Sequence, residues 1–260
     1  MLHRSIVSKM TAEIFGGHLN PLVAITTVKS SNPSGGGRGV GFLVEKLGKN
    51  LWLAVACKHS FEEPEMLQVL FFMQNDQPTA LKQIGPILKD TEQESDVAFV
   101  VLEDPSGTEK RAFLLTANDP PAHYEAQTLY NAKNESNYTR GIYSLPICPQ
   151  TNTNEGDHFA FCKMSDLVPI WVKHGDQAEE KRLLSLGYFK YRVFWMASRP
   201  GNSGSPIWDD KLRLYGMNIR GNIPGVNSNM DNFLICIPRS ELFRSRQKIA
   251  SQLKEFLAGR

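Results

Sequence analysis

Arg199-Pro200-Gly201-Asn202-Ser203-Gly204-Ser205-Pro206 is the stretch on which the reading of this chain turns: one serine set among glycines and closed by a proline. A serine hydroxyl attacks a carbonyl only when a base takes its proton and backbone N–H groups face the oxyanion that forms. Gly201 and Gly204 permit the tight turn that such a nucleophile loop needs. Gly, Asn, Ser and Pro are also the commonest formers of ordinary polar turns, so the loop needs partners elsewhere in the chain.

The order of those partners excludes folds. No histidine follows His174, so a Ser…Asp…His order cannot be built on Ser203, and Ser205 stands where a G-x-S-x-G elbow has its last glycine. No aspartate precedes His59, which removes the Asp…His…Ser order for that base. His…Asp…Ser remains. Its base is His59, at the end of the apolar, strand-length run Leu51-Trp-Leu-Ala-Val-Ala-Cys-Lys-His59-Ser. Its acid is Asp96, just before Val97-Ala-Phe-Val-Val-Leu, a run apolar enough to be a buried strand. That position suits a desolvated carboxylate holding one imidazole tautomer.

Four segments carry a family resemblance: Gly39-Val-Gly-Phe-Leu-Val, Ala56-Cys-Lys-His59-Ser, Ser95-Asp96-Val-Ala and Gly201-Asn-Ser203-Gly-Ser-Pro. With the Leu214-Tyr-Gly-Met-Asn-Ile-Arg-Gly221 strand, the chain resembles the trypsin-like (chymotrypsin-fold) serine peptidases, in their disulfide-free, intracellular or HtrA-like branch. The histidine motif departs from the family's usual Ala-Ala-His-Cys or Thr-Asn-His-Val. The resemblance implies an all-β fold of two antiparallel six-stranded barrels with the site between them, followed by a C-terminal helix. It further implies a serine endopeptidase with His59, Asp96 and Ser203 as catalytic triad and the N–H groups of Gly201 and Ser203 as oxyanion hole. Aligning the serine motif puts Ala197 at the base of the primary pocket, with Ser198, Asn218, Ile219, Arg220 and Gly221 around it. An uncharged base argues against Lys or Arg at the cleaved position, since a desolvated cation needs a carboxylate partner. Asn202 cannot make the ion pair by which secreted relatives capture a new N-terminus, so no activating cleavage is expected.

Composition agrees with such a unit. The 260 residues are 41% hydrophobic, enough for a substantial core, and 20 glycines with 15 prolines suit many turns. A formal charge of +2 gives no broad basic surface for nucleic acid. The first ten residues lack the continuous apolar core of a secretory signal, and no segment approaches transmembrane length. Cys57, Cys148, Cys162 and Cys236 have no metal-ligand spacing, and Cys57-x-His59 lacks a second pair, so no metal and no cofactor is expected. Reduced, buried cysteines in a cytoplasmic protein, or in an effector delivered into another cell, account for them most simply. The expected partner is a protein or peptide substrate, without nucleic acid or membrane insertion; the oligomeric state is left open.

In chain order, residues 1–20 read as a lead-in, residues 21–106 as the first barrel, 107–238 as the second and 239–260 as the helix. Strands are expected at Val23–Lys29, Gly39–Glu45, Leu51–Cys57, Leu67–Met73, near Leu81–Leu88 and at Val97–Leu102. Asp104–Lys110 reads as the connector. Further strands are expected near Phe113–Thr116, Gln127–Asn131, His158–Lys163, Val168–His174, Leu184–Phe194, Gly204–Trp208, Leu212–Ile219 and Phe233–Ile237, with long polar loops over Asn131–Asp157. At the end Leu242, Ile249, Leu253, Phe256 and Leu257 fall near one helical face, Ser240 can cap its start, and the face is expected to pack on the second barrel. A different class of function stays open: a pseudoprotease that keeps the fold and binds peptides without turnover.

Overall fold

The computed structural model of the chain describes residues 21–29, 38–61, 66–74, 77–92, 95–107, 109–118, 126–131, 144–146, 158–164, 192–195, 203–209, 213–221 and 233–260. The first half forms β1 (Leu22–Lys29), β2 (Arg38–Lys46), β3 (Leu51–Cys57), β4 (Met66–Gln74), β5 (Gln77–Gln83), β6 (Leu88–Lys89) and β7 (Val97–Glu103). Every pairing among them is antiparallel. β1 lies between β2 and β4, β4 pairs with β5, β5 with β7, β7 with β3, and β3 with β2. These pairings close a ring of six strands, as expected, and closure removes the exposed edges of an open sheet. The strand expected near Leu81–Leu88 is instead two pieces, because Gly85-Pro86 interrupts it; Gly85 has φ of 79° and Pro86 has no N–H to give to a ladder. β6 then pairs with Phe99 and Ala98 of β7, beyond the point where β5 pairs with Glu103 and Leu102.

The second half contributes β8 (Ala126–Asn131), β9 (Ser144–Pro146), β10 (His158–Met164), β11 (Arg192–Trp195), β12 (Pro206–Asp209), β13 (Leu214–Gly221) and β14 (Phe233–Pro238). They form one seven-stranded antiparallel sheet in the order β11-β14-β13-β12-β8-β10-β9, rather than the six strands expected. Among the described residues no pairing closes it. β9 lies inside the stretch expected to be loops. Three residues are too few for a hydrophobic alternation to show, and at a sheet edge Pro146 interrupts nothing. Phe113–Thr116, expected as a strand, is irregular: Phe113 is buried and its N–H donates to the Leu43 carbonyl at 2.8 Å, while Leu114 is 71% exposed. Phe113 is therefore an apolar anchor. Its ring meets Phe42 edge-on at 5.5 Å and lies 5.8 Å from Trp208 of β12. Val168–His174 lies outside the described residues, as does Leu184–Phe194 apart from the part that forms β11.

The uninterrupted apolar runs of β3 and β7 follow from burial of both faces. Trp52, Ala54 and Ala56 of β3 and Ala98, Val100 and Leu102 of β7 join Val23, Ile25, Leu43, Phe61 and Leu81 in a core drawn from around the ring. The alternate residues, Leu53, Val55, Cys57, Val97, Phe99 and Val101, join a second core with Trp208, Leu214, Met217, Ile219 and Ile237 of the other sheet and Leu242, Ile249 and Leu253 of the C-terminal helices. Period-2 alternation thus sends one set inward and the other against the second half.

The C-terminal segment is two helices, α1 (Arg239–Lys248) and α2 (Ala250–Ala258), with a break at Ile249. The expected apolar face is present: Leu242, Ile249 and Leu253 are buried, and Phe256 and Leu257 pack against them. Ser240 does not cap it. β14 runs straight into α1, Pro238 takes the cap position at φ −62° and ψ 154°, and no side chain caps the start. Packing is not confined to the second sheet either. Arg246 Nε donates to Glu45 Oε2 at 2.8 Å, Ser245 donates to Asp90, and Phe256 lies against Gly85, so the helices also clasp the first barrel. Among the described residues no helix is long and apolar enough to cross a membrane.

Candidate active site

β3 and β7 are paired along their whole lengths, ending at Cys57 opposite Val97. The two residues beyond that last rung extend the contact: Lys58 N–H donates to the Asp96 carbonyl at 3.1 Å. The chain then enters a single 3₁₀ turn, Lys58–Phe61, whose Phe61 is buried and whose His59 is exposed. This geometry delivers His59 onto Asp96. The His59 N–H donates to Asp96 Oδ1 at 2.9 Å, and ring Nδ1 lies 2.7 Å from Asp96 Oδ2. One carboxylate thus holds both the backbone and the ring of one histidine. With its proton on Nδ1 facing a carboxylate, a neutral imidazole leaves Nε2 as acceptor. The side chain of Asp96 is 23% exposed and that of His59 41%. Asp96 stands just before β7, as the sequence suggested, but its carboxylate keeps some contact with solvent instead of being fully desolvated.

Ser203 reaches the same region from the second half. It sits in the turn before β12 and is held from both sides. Its carbonyl accepts the Val40 N–H of β2 at 2.8 Å, while the next residue, Gly204, donates to the Asn218 carbonyl of β13 at 2.6 Å. Gly204 has φ of 85°, and a Cβ there would lie 1.6 Å from the Val40 carbonyl oxygen, so only glycine fits. Gly39 is the common wall. A Cβ on it would lie 3.1 Å from Ser60 Oγ, beside His59, and 3.3 Å from the Ser203 carbonyl oxygen. The Ser203 hydroxyl donates to the Ile219 carbonyl at 3.2 Å. Among the described residues no hydrogen bond joins it to His59.

Of the pocket residues expected from sequence, Asn218 and Ile219 are buried on β13; Arg220 and Gly221 continue that strand. Ala197, Ser198 and Gly201 lie outside the described residues. Two neighbours of the site were not singled out from sequence for what they do here. Gly39 supplies the close approach, for which the glycine-flanked Gly39-Val-Gly was the available signal. Cys57 is fully buried, and its Sγ donates to the Asn218 carbonyl at 3.5 Å. Neither Cys57 nor Cys236 is in a disulfide. The Cys57 sulfur, a His59 ring nitrogen and an Asp96 carboxylate oxygen lie within 4.8 Å of one another, a donor set that no spacing of Cys and His along the chain displays.

No protein-family model matches the sequence, and no curated protein sequence matches it. Solved structures do match. A thermostable serine protease, AL20, from an extremophilic microorganism aligns over 87% of this chain and 95% of its own, with TM-score 0.53 and 11% identity. A serine endoprotease from Yersinia pestis aligns over 93% of this chain and 66% of its own, with TM-score 0.54 and 12% identity. A protease from M. tuberculosis in its active form aligns over 94% and 86%, with TM-score 0.52 and 12% identity. At such identities the likeness is one of fold. Taken with the closed six-stranded ring and the C-terminal helices, it gives this chain the trypsin-like serine-protease fold.

Proposed function

We propose that the chain is a serine endopeptidase that hydrolyses peptide bonds of protein substrates through His59, Asp96 and Ser203. The observation that carries this reading is the grip of Asp96 on His59, one oxygen on the backbone N–H and the other on Nδ1. Such a grip serves a base whose Nε2 must accept a proton. In the proposed cycle Nε2 takes the hydroxyl proton of Ser203 as Oγ attacks the substrate carbonyl. Asp96 stabilises the imidazolium, and the N–H groups of Gly201 and Ser203 bind the oxyanion. His59 then gives its proton to the leaving amine, and a water deprotonated by His59 releases the acyl group. Uncharged surroundings at Ala197, Ser198, Asn218 and Ile219, with Arg220 and Gly221 along β13, fit a small or medium uncharged side chain at the cleaved position. β13 backbone would pair with the extended substrate.

A second reading, a peptide-binding module that is inactive or awaits a partner, is favoured by one observation: the Ser203 hydroxyl is turned to the Ile219 carbonyl. The readings differ in a simple assay. Ser203→Ala should abolish release of new N-termini from an unfolded protein substrate while leaving Tm unchanged. Hydrolysis that survives this substitution overturns the endopeptidase reading, and wild type that binds the substrate without cleaving it supports the module.

A further inference from the structure

We propose that Cys57, His59 and Asp96 form an inhibitory site for a thiophilic divalent cation such as Zn²⁺ or Cd²⁺. The three donors come from the end of β3, the 3₁₀ turn and the residue before β7, and they lie within 4.8 Å of one another. Thiolate, imidazole and carboxylate together form a set suited to Zn²⁺, and the soft sulfur extends it to Cd²⁺. Ligands around tetrahedral zinc sit about 3.4–3.6 Å apart. His59 Nδ1 and Asp96 Oδ2, now 2.7 Å apart, need to open slightly, and the sulfur, within 4.8 Å of both residues' donors, needs to close by at most about an ångström. The exposed imidazole gives the ion its way in, and a water completes the fourth position.

Binding is balanced by loss of the Cys57 thiol proton to solvent. The Asn218 carbonyl that accepts from this thiol also accepts the Gly204 N–H, so it is not orphaned by that loss. On His59 the metal takes the Nδ1 lone pair, which moves the ring's single proton to Nε2. A protonated Nε2 cannot accept the Ser203 proton. The inhibition therefore rests on the endopeptidase reading, whereas the binding of the ion does not.

The test titrates Cd²⁺ into wild type, Cys57→Ala and His59→Ala, following the thiolate-to-metal charge-transfer band. The rate at which a fluorophosphonate labels Ser203 is then read with and without Cd²⁺ or Zn²⁺ in wild type and Cys57→Ala. Wild type should show a band at one equivalent and metal should slow its labelling, reversibly with chelator. Cys57→Ala should lack that band and need at least about tenfold more metal for the same slowing. Cys57→Ser keeps a side-chain donor for the Asn218 carbonyl and replaces the alanine variant should that unfold. No band at one equivalent, or a band unchanged in Cys57→Ala, overturns the site. A band with unaltered labelling overturns the inhibition alone. A protein that never labels, yet shows the Cys57-dependent band, overturns the endopeptidase reading and leaves the metal site standing.

Discussion

Asp96 binds His59 through both oxygens, so its two functions can be separated by substitution. In Asp96→Asn the amide oxygen can still accept one N–H, but an NH₂ group facing Nδ1 selects the tautomer with its proton on Nε2. On the proposed mechanism kcat falls by about 10⁴-fold. Tm should change little, because the β3–β7 ladder behind the pair is untouched. A steady-state assay beside a thermal melt checks both, and a kcat within tenfold of wild type would remove Asp96 from the mechanism. His59, Asp96 and Ser203 could be singled out as candidates in the sequence because the chemistry restricts which residue types can serve and in which order, and the structure joins the first two by hydrogen bonds. Two things were not: the turn of the Ser203 hydroxyl to Ile219, and the approach of Cys57 to the His59–Asp96 pair. Both depend on how β3, β7 and β13 come together in space, and no local pattern encodes that.

The C-terminal helices show the same division at the scale of an element. Their apolar face is written in the 3.6-residue period of Leu242, Ile249 and Leu253. The break at Ile249 and the polar anchors on the first barrel are not, since neither Gly nor Pro marks the break and the anchors' partners are remote in sequence. Asp90 is the chief anchor. It is 2% exposed and accepts Ser245 Oγ, the Glu92 N–H at 3.0 Å and Ser95 Oγ at 2.9 Å, with Lys248 Nζ 3.5 Å away. Burial by itself raises its pKa, but these hydrogen bonds and the Lys248 charge outweigh burial and hold it below the ordinary carboxylate value. A depressed native pKa stabilises the fold at pH above the unfolded-state value, and that contribution is lost as pH falls through the native one. Tm should therefore be flat in this respect above roughly pH 5 and fall below it. Asp90→Asn should lower Tm at pH 7 and flatten the acid limb; an acid limb identical to wild type would mean that Asp90 does not anchor the helices.

For the whole molecule, the decisive fact is that β3 and β7 are buried on both faces, one inside the ring and the other against the second sheet and the helices. The apolar runs announced buried strands, but only the structure shows that half of each run joins the two parts of the molecule. Phe113 is central to that junction, between Phe42 and Trp208. Phe113→Ala should cost about 3–5 kcal/mol of stability. Leu114→Ala, one residue on and 71% exposed, should stay within about 0.5 kcal/mol. Equal effects in denaturant titrations would contradict the packing described. The buried pair Asp104–Lys110, 3.3 Å apart yet not aligned as a hydrogen bond, lies in the same connecting stretch. On the proposed mechanism the junction matters for function, because His59 and Asp96 belong to one part and Ser203 to the other. The most direct measurement labels purified wild type, Ser203→Ala and His59→Ala with a fluorophosphonate, which reacts only with an activated serine and requires no knowledge of the substrate. The account predicts labelling of wild type alone. Folded wild type that stays unlabelled, or Ser203→Ala that labels as well as wild type, would contradict it.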